Sequence, residues 1–195
     1  MKQLVLASNN AKKMKELNAL LAPLGYEVIP QSQLGIPEAE EPYCTFIENA
    51  LAKARHAAAH SGLPALADDS GLCVTALGGA PGVTSARYAG EPKSDARNNE
   101  KLLSHLADEA NRKAHFYCVL VLVRSATDPQ PIIAEGEWHG EILADQRGVD
   151  GFGYDPLFFV PEFNKTAAEL DATTKNRASH RGQAMQKLIA RLQAL

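Results

Sequence analysis

The sequence predicts an α/β fold in which helices flank a mixed β-sheet. A short apolar strand at residues 4–7 is followed at once by an amphipathic helix, the usual opening of an α/β unit. Residues 115–124 are apolar at most positions, the pattern of a central strand that is buried on both faces. A length of 195 residues with 45% hydrophobic residues suits one compact domain over residues 1–195.

The helices are marked by apolar spacing and by capping residues. The first carries an apolar stripe that ends before Gly25: Met14, Leu17, Leu20, Leu21 and Leu24. The second begins at Thr45, because Thr45 and Glu48 form a capping box ahead of an Ala-rich segment that runs to about His60. A third is predicted over residues 94–106. The last has one apolar stripe, which core packing explains: Met185, Leu188, Ile189, Leu192 and Leu195.

Further strands are predicted where short apolar stretches lie between turn residues. These are residues 64–67, 132–138 and 157–160. The glycine-rich residues 78–82 are expected to form a hinge or a wide turn. Together the strands indicate a mixed sheet.

The composition argues against several classes of partner. Lys and Arg total 20 and Asp and Glu total 23, so the net charge of −3 has the wrong sign for nonspecific attraction to nucleic-acid phosphates. The longest apolar run, residues 116–123, has eight residues, whereas a membrane span needs about 20. The first residues lack the features of a signal peptide. We therefore expect a cytoplasmic protein without nucleic-acid or membrane partners.

The three cysteines, Cys44, Cys73 and Cys118, are odd in number and far apart. They provide neither a disulfide framework nor a thiolate zinc site, so we expect buried, inert thiols.

The first candidate site lies between the first strand and the first helix. It comprises Ser8, Asn9, Asn10, Ala11, Lys12 and Lys13. Lysines in the first helical turn are disfavoured by the helix dipole, and a bound anion would reverse that penalty. Free backbone N–H groups with two ammonium groups suit a phosphate. The alternative is a solvated helix cap with incidental lysines.

Two acidic segments form the second and third candidate sites. Glu38, Glu40 and Glu41 lie within four residues, which is typical either of an exposed acidic loop or of a Mg²⁺ site completed by water and phosphate oxygens. Asp68 and Asp69 follow the strand predicted at residues 64–67. They indicate either an Asx-capped turn or one carboxylate directed into a site at the end of a strand, since adjacent strand residues face opposite ways.

The fourth candidate site has an aromatic part and a cationic part. Phe152 lies between two glycines, which suits either stacking on a flat ring or the start of a strand. Ser179 can cap the last helix and would leave His180 and Arg181 at its N-terminal end, where the dipole again disfavours cations.

In order and spacing, seven segments between residue 4 and about residue 190 closely resemble the inosine/xanthosine triphosphate pyrophosphatase family. They are Ser8-x-Asn10-x-x-Lys13, Glu40-Glu41 followed by Thr45-Phe46-x-Glu48-Asn49-Ala50, Ala67-Asp68-Asp69-Ser70-Gly71-Leu72, Gly78-Gly79-Ala80-Pro81-Gly82, Ser85-Ala86-Arg87-Tyr88, Gly151-Phe152-Gly153-Tyr154-Asp155-Pro156 and Ser179-His180-Arg181-Gly182. The chain departs from the family at Asn9 and Tyr43, where glycine is frequent.

The resemblance implies hydrolysis of non-standard purine nucleoside triphosphates (ITP, dITP and XTP) to the monophosphate and pyrophosphate, which removes them from the nucleotide pool. It implies a requirement for Mg²⁺, an elongated α/β fold with a long mixed sheet, a cleft between two lobes, and a homodimer.

The resemblance also implies a role for each matching residue. Residues 8–13 would hold the triphosphate, Asp69 would be the general base and a metal ligand, and Glu40 or Glu41 would complete the metal site. Ser70 would touch the substrate. The base pocket would be formed by Phe152, Gly153, Tyr154 and Asp155, and the purine edge would be read by Lys175, His180 and Arg181.

Two other classes of function use similar contacts. A nucleotide-binding regulator would bind the same phosphates and base without hydrolysis. A pyrophosphatase acting on pyrimidine triphosphates would differ only in its substrate.

Overall fold

The computed structural model describes residues 2–9 and 11–194, without the side chains of residues 11–13 and 16. Its strands form one seven-stranded sheet in the order β2-β1-β3-β4-β5-β6-β7. They are β1 (Lys2–Leu6), β2 (Tyr26–Pro30), β3 (Ala65–Val74), β4 (Lys113–Val123), β5 (Ile132–Ile142), β6 (Phe158–Val160) and β7 (Lys165–Thr166). Strand β1 is parallel to β2 and β3, whereas β6 is antiparallel to β5 and β7. The predicted mixed sheet is confirmed.

Five α-helices are assigned in the described residues. They are α1 (Ala11–Leu21), α2 (Phe46–Ser61), α3 (Asp95–His105), α4 (Ala172–Ala178) and α5 (His180–Gln193). The predicted capping box is confirmed, because the Glu48 backbone N–H donates to Thr45 Oγ1 and the Thr45 hydroxyl donates to the Glu48 carboxylate. Helix α1 ends earlier than predicted, since a 3-10 turn over Ala22–Leu24 precedes the left-handed Gly25. Helix α4 was not predicted.

Strand β4 is the fourth of the seven strands, and its residues from Cys118 to Val123 are all buried. Continuous burial requires apolar side chains on both faces, and this confirms the prediction of a central strand.

The chain divides into two compact units, each assembled from separate segments. The first comprises the described residues of Met1–Asp69, Cys118–Glu135 and Ala184–Leu195. Its core contains side chains from the sheet, from α1 and from α5, including Leu4, Leu21, Leu66, Leu120 and Leu188. Of the apolar stripes predicted for α1 and α5, Leu17, Leu21, Met185, Leu188 and Leu192 are buried, and Met14, Leu24 and Ile189 are partly buried against the same core. Leu20 is exposed, and Leu195 lies outside the described residues.

The second unit comprises Ser70–Tyr117 and Gly136–Gln183. Its core is formed by the second half of β3, by α3 and by the aromatic residues of β4 to β6, including Leu72, Leu102, Phe116, Trp138 and Phe158. The Phe158 ring packs against both Phe116 and Trp138, with ring centroids 4.6 and 5.4 Å apart.

Strand β3 is longer than the sequence suggested. We expected a strand over residues 64–67 and left open a turn at Asp68 and Asp69, but the strand runs without interruption from Ala65 to Val74. The turn interpretation is wrong, because this segment continues in the sheet next to β4 and its backbone has ladder partners there. Strands β2 and β7 were also missed; β7 has only two residues.

Residues 78–82 form the predicted turn. Gly78, Gly79 and Gly82 all have positive φ, and Pro81 forms an isolated antiparallel bridge with Cys73. Only glycine adopts three such conformations in so short a stretch without strain.

The expectation of three buried thiols holds only in part. Cys118 is buried and Cys73 is half-buried, but Cys44 is exposed because it lies in the loop before α2. Among the described helices, none has the length and apolar character needed to cross a membrane.

Candidate active site

The segment predicted to bind phosphate lies where β1 leads into α1. Asn10 lies outside the described residues, and the side chains of Ala11, Lys12 and Lys13 are not described. Ser8 is half-buried, and Asn9 donates a hydrogen bond of 3.0 Å from its side-chain amide to the Glu38 carboxylate. The phosphate-binding role of this segment stays a prediction.

The three acidic residues of the loop before α2 have different surroundings. Glu38 accepts from Asn9, Glu40 is exposed, and the Glu41 carboxylate accepts a hydrogen bond from the Lys53 ammonium. Glu41 thus forms an ion pair with Lys53, whereas Glu38 accepts from a neutral amide.

Lys53 was missed by the sequence analysis. It lies on α2, two turns after the capping box, and its side chain is only 16% exposed. The signal in the sequence is a single lysine among alanines: Ala50, Ala54 and Ala57 are fully buried, so position 53 borders the buried face of the helix. A charge at such a position requires a partner of opposite sign.

Asp69 is the second partner of Lys53. The Lys53 nitrogen lies 3.7 Å from Asp69 Oδ1, so Glu41 and Asp69 approach one ammonium from different segments of the chain. Burial disfavours the charged form of Lys53, but the negative charge of Asp69 and the hydrogen bond to Glu41 outweigh it, and the pKa of Lys53 is raised above its ordinary value.

The position of Asp69 follows from the lengths of neighbouring strands. Strand β1 ends at Leu6, which pairs with Leu66 of β3, while β3 continues for eight more residues. Asp68 and Asp69 thus lie in the middle of β3 but beyond the carboxyl end of its parallel neighbour β1, the edge at which α/β sheets bind ligands. Asp68 is 6% exposed and Asp69 is half-buried. Ser70 follows as a half-buried residue of β3.

The aromatic segment of the second unit is organised by Asp155. The carboxylate of Asp155 is almost fully buried, accepts the Phe152 backbone N–H at 2.8 Å and forms an ion pair of 2.5 Å with Lys175. A Cβ at Gly151 would overlap this carboxylate, so glycine is required there. The hydrogen bonds fix the segment in a turn rather than in the strand start that we considered.

Phe152 and Tyr154 have opposite environments. The Phe152 side chain is 61% exposed, with the Lys175 nitrogen 5.3 Å from its ring centroid. Tyr154 lies in the core of the second unit, where its hydroxyl donates to the Ser85 carbonyl at 2.8 Å. Burial raises the pKa of Tyr154. Its described contacts are structural, whereas the Phe152 ring is available for stacking.

The predicted N-cap of the last helix is confirmed. Ser179 Oγ accepts the Gly182 backbone N–H at 3.2 Å, and α5 begins at His180. The His180 ring stacks on Phe116, with centroids 4.9 Å apart and planes 14° apart, and Arg181 is half-buried. Gly182 has a packing role that its motif did not reveal: a Cβ there would overlap the backbone oxygen of Asn176, so glycine allows α4 and α5 to meet closely.

The carboxylates around Lys53 are the candidate ligands for a metal ion. No cluster of three or more His, Cys, Asp or Glu side chains suited to a metal occurs in the part of the chain that the structure describes. Glu41 and Asp69 nevertheless provide two hard carboxylate donors that already approach one cation. Mg²⁺ typically uses one or two carboxylates and completes its octahedron with water and substrate phosphate oxygens, so this pair fits Mg²⁺.

The chain is similar along nearly all of its length to the members of one protein family. The profile of the Ham1 family matches residues 4–191. A dITP/XTP pyrophosphatase of Aromatoleum aromaticum is 70% identical over 97% of this chain and 96% of its own length. Another dITP/XTP pyrophosphatase, of Ralstonia nicotianae, is 64% identical over 98% and 97%.

Solved structures that resemble this fold come from the same family. A HAM1 protein from Coxiella burnetii has a TM-score of 0.98 and 50% identity, covering 100% of both chains. A nucleoside-triphosphatase / dITP/XTP pyrophosphatase from Mycobacterium abscessus has a TM-score of 0.81 and 40% identity, covering 95% of this chain and 97% of the other. With a family match over nearly all of its length, the chain belongs to the Ham1 family.

Proposed function

We propose that this protein hydrolyses non-standard purine nucleoside triphosphates (dITP, ITP and XTP) to the nucleoside monophosphate and pyrophosphate. The observation that carries the proposal is the convergence of Glu41 and Asp69 on Lys53 beyond the carboxyl end of β1. Carboxylates for a metal and a lysine for phosphate charge are the groups that hydrolysis of a phosphoanhydride requires. Relatives at 60–70% identity carry the name dITP/XTP pyrophosphatase, which supports the same reaction.

The triphosphate of the substrate would be bound by residues of the first unit. Residues 8–13, with the start of α1, would bind the triphosphate through backbone N–H groups and the two lysines. Lys53 lies near the two carboxylates, and its raised pKa keeps it positively charged at neutral pH. That charge would offset the negative charge that develops on the leaving pyrophosphate.

Mg²⁺ is proposed as the cofactor, with Glu41 and Asp69 as the residues that would hold it. Glu40 is the weaker candidate because its side chain is exposed and Glu41 is the one directed at Lys53. Bound there, Mg²⁺ would neutralise phosphate charge and lower the pKa of a water molecule.

Asp69 is proposed as the general base. It would take a proton from the water that attacks the α-phosphorus, as the bond between that phosphorus and the bridging oxygen breaks and pyrophosphate leaves. Ser70, the next residue of β3, would contact the substrate beside it.

The purine base of the substrate would be bound by residues of the second unit. The exposed Phe152 ring would stack on the purine, while Asp155 fixes the turn that carries it and orients Lys175. Lys175, His180 and Arg181 would read the purine edge. A donor directed at position 6 binds the keto oxygen of hypoxanthine and opposes the amino group of adenine, an arrangement that can discriminate by up to about 10⁴–10⁵.

The proposal also includes a homodimer, as the family resemblance implies. Light scattering on the purified protein tests it: a mass near twice 21.0 kDa is expected, and a mass of one chain contradicts it.

A panel of nucleoside triphosphates assayed with Mg²⁺ tests the reaction itself. We expect pyrophosphate, and no orthophosphate, from ITP, dITP and XTP, with little release from ATP or pyrimidine triphosphates. Release of orthophosphate would contradict the site of cleavage, and preference for a pyrimidine would contradict the substrate. Tight binding of ITP without any product would instead identify a nucleotide-binding regulator.

A further inference from the structure

Both polar groups of the Gly153 backbone are held by one helix. The Gly153 N–H donates to the Asp95 carboxylate at 2.7 Å, and the Asn99 side-chain amide donates to the Gly153 carbonyl at 3.0 Å. Asp95 is the first residue of α3 and Asn99 the fifth, a spacing of four that places both side chains on the same side of the helix. Helix α3 thus binds the residue that follows Phe152 at two points.

The turn around Phe152 depends on such contacts for its conformation. Gly151 and Gly153 both have positive φ, of 87° and 61°, and glycine restricts the backbone less than any other residue. The Phe152 side chain is largely exposed, so packing in a core does not fix its ring. Asp155 holds the backbone N–H of Phe152, and Asp95 and Asn99 hold the next residue.

Helix α3 is itself well anchored. Ser94 caps it by accepting the Arg97 backbone N–H at 3.3 Å. The buried Asn98 donates to the carbonyls of Ser85 and Ala86 and accepts the backbone N–H of Ala89 at 2.7 Å. A helix that is tied to its neighbours in this way provides a rigid support for the turn.

We infer that Asp95 and Asn99 are positioning residues for base recognition: through Gly153 they hold the Phe152 ring in the orientation in which it stacks on the purine. The inference rests on the proposed function and adds two residues outside the segments that the substrate would touch. Because stacking on an aromatic ring contributes to binding of the base, loosening the turn weakens that binding without altering the groups at the phosphates.

The test compares two substitutions at residue 95. Asp95→Ala removes the acceptor for the Gly153 N–H, whereas Asp95→Asn keeps an oxygen that can accept it. We expect Asp95→Ala to raise KM for ITP roughly 5- to 10-fold with kcat within about twofold of the original, and Asp95→Asn to restore most of the loss. Glu100→Ala, an exposed position on the same helix, is the matched control and should leave both constants unchanged.

A second measurement separates positioning from general damage. Inorganic pyrophosphate has no base, so its inhibition constant should be the same for the unaltered protein and for Asp95→Ala. An equal weakening of pyrophosphate and ITP, or an unchanged KM for ITP, would overturn the inference. Asn99→Asp, which cannot donate to the Gly153 carbonyl, should raise KM in the same way.

Failure of the proposed function and failure of the positioning role give different results. If the unaltered protein releases no pyrophosphate from any nucleoside triphosphate, the proposed function fails and the inference fails with it. If the unaltered protein is active and Asp95→Ala has the original KM, only the positioning role is lost.

Discussion

The Lys53 ammonium lies 3.7 Å from a carboxylate oxygen of Asp69. The two residues are 16 positions apart in the sequence, Lys53 on helix α2 and Asp69 on strand β3. The same ammonium donates to Glu41, so one cation links the acidic loop, helix α2 and strand β3 within the first unit. Two carboxylates held this close to each other repel unless a cation lies near both. Lys53 therefore holds together Glu41 and Asp69, the two proposed metal ligands, at the proposed phosphate site.

Replacing Lys53 by methionine is expected to reduce turnover. Lys53→Met keeps most of the length of the side chain but leaves Glu41 and Asp69 without their shared cation. It also removes the charge proposed to face the leaving group. Loss of one such electrostatic contact lowers kcat by roughly 10²–10³-fold. Steady-state assays with ITP measure kcat. The control is Lys113→Met, which replaces an exposed lysine on β4. Full activity in Lys53→Met would exclude this role.

The same ion pairs predict how stability depends on pH. The pKa of Lys53 is raised in the folded protein, so its contribution is fully present below its ordinary value of 10.5 and is lost as the pH rises through the folded value. The difference in melting temperature between the unaltered protein and Lys53→Met should be constant from about pH 7 to pH 10 and should change only above that range. A difference that changes around neutral pH would contradict this assignment.

Substitutions at Glu41 and at Glu40 test which of the two residues binds Mg²⁺. Glu41→Gln should raise the Mg²⁺ concentration that gives half-maximal activity by roughly 10-fold or more, since a group directed at the metal site is lost. Glu40→Gln, with the same change of charge on an exposed neighbour, should shift it by less than about twofold. Equal effects would show that the net charge of the loop, rather than one ligand, governs metal binding.

Arg181 is expected to control base selectivity. Arg181→Ala removes a donor proposed to face the 6-keto group, and the ratio of kcat/KM for ITP over ATP should fall by roughly 10-fold or more. Comparing the two substrates in one assay is the measurement. If both lose activity by the same factor, Arg181 serves nucleotide binding in general.

Gly182 is expected to control the junction between α4 and α5. A Cβ in Gly182→Ala would overlap the Asn176 carbonyl, so the helices must separate at a cost of about 1–3 kcal/mol. The melting temperature should fall by roughly 2–10 °C, whereas Gln186→Ala, at an exposed position of α5, should leave it nearly unchanged. An unchanged melting temperature in Gly182→Ala would show that the junction can relax without cost.

The local features were largely predictable. The capping box at Thr45, the buried strand β4 and the apolar stripe of α5 all follow from periodicity and side-chain chemistry within a few residues, and each is confirmed. The family was also evident, because its motifs occur in order along most of the chain. Boundaries set by partners far away in the sequence were less predictable: β3 extends through Asp69 because β4 pairs with it.

The sequence by itself determined which groups are present: carboxylates after a buried strand, cations at helix starts, and an aromatic ring between glycines. Only the tertiary structure decided which of them meet. It distinguished Glu41 from Glu40, brought Lys53 to Asp69, and directed Asp95 and Asn99 to Gly153. These pairs are separated by 12 to 58 positions, and contacts over such distances depend on strand order and helix packing, which spacing along the chain does not encode.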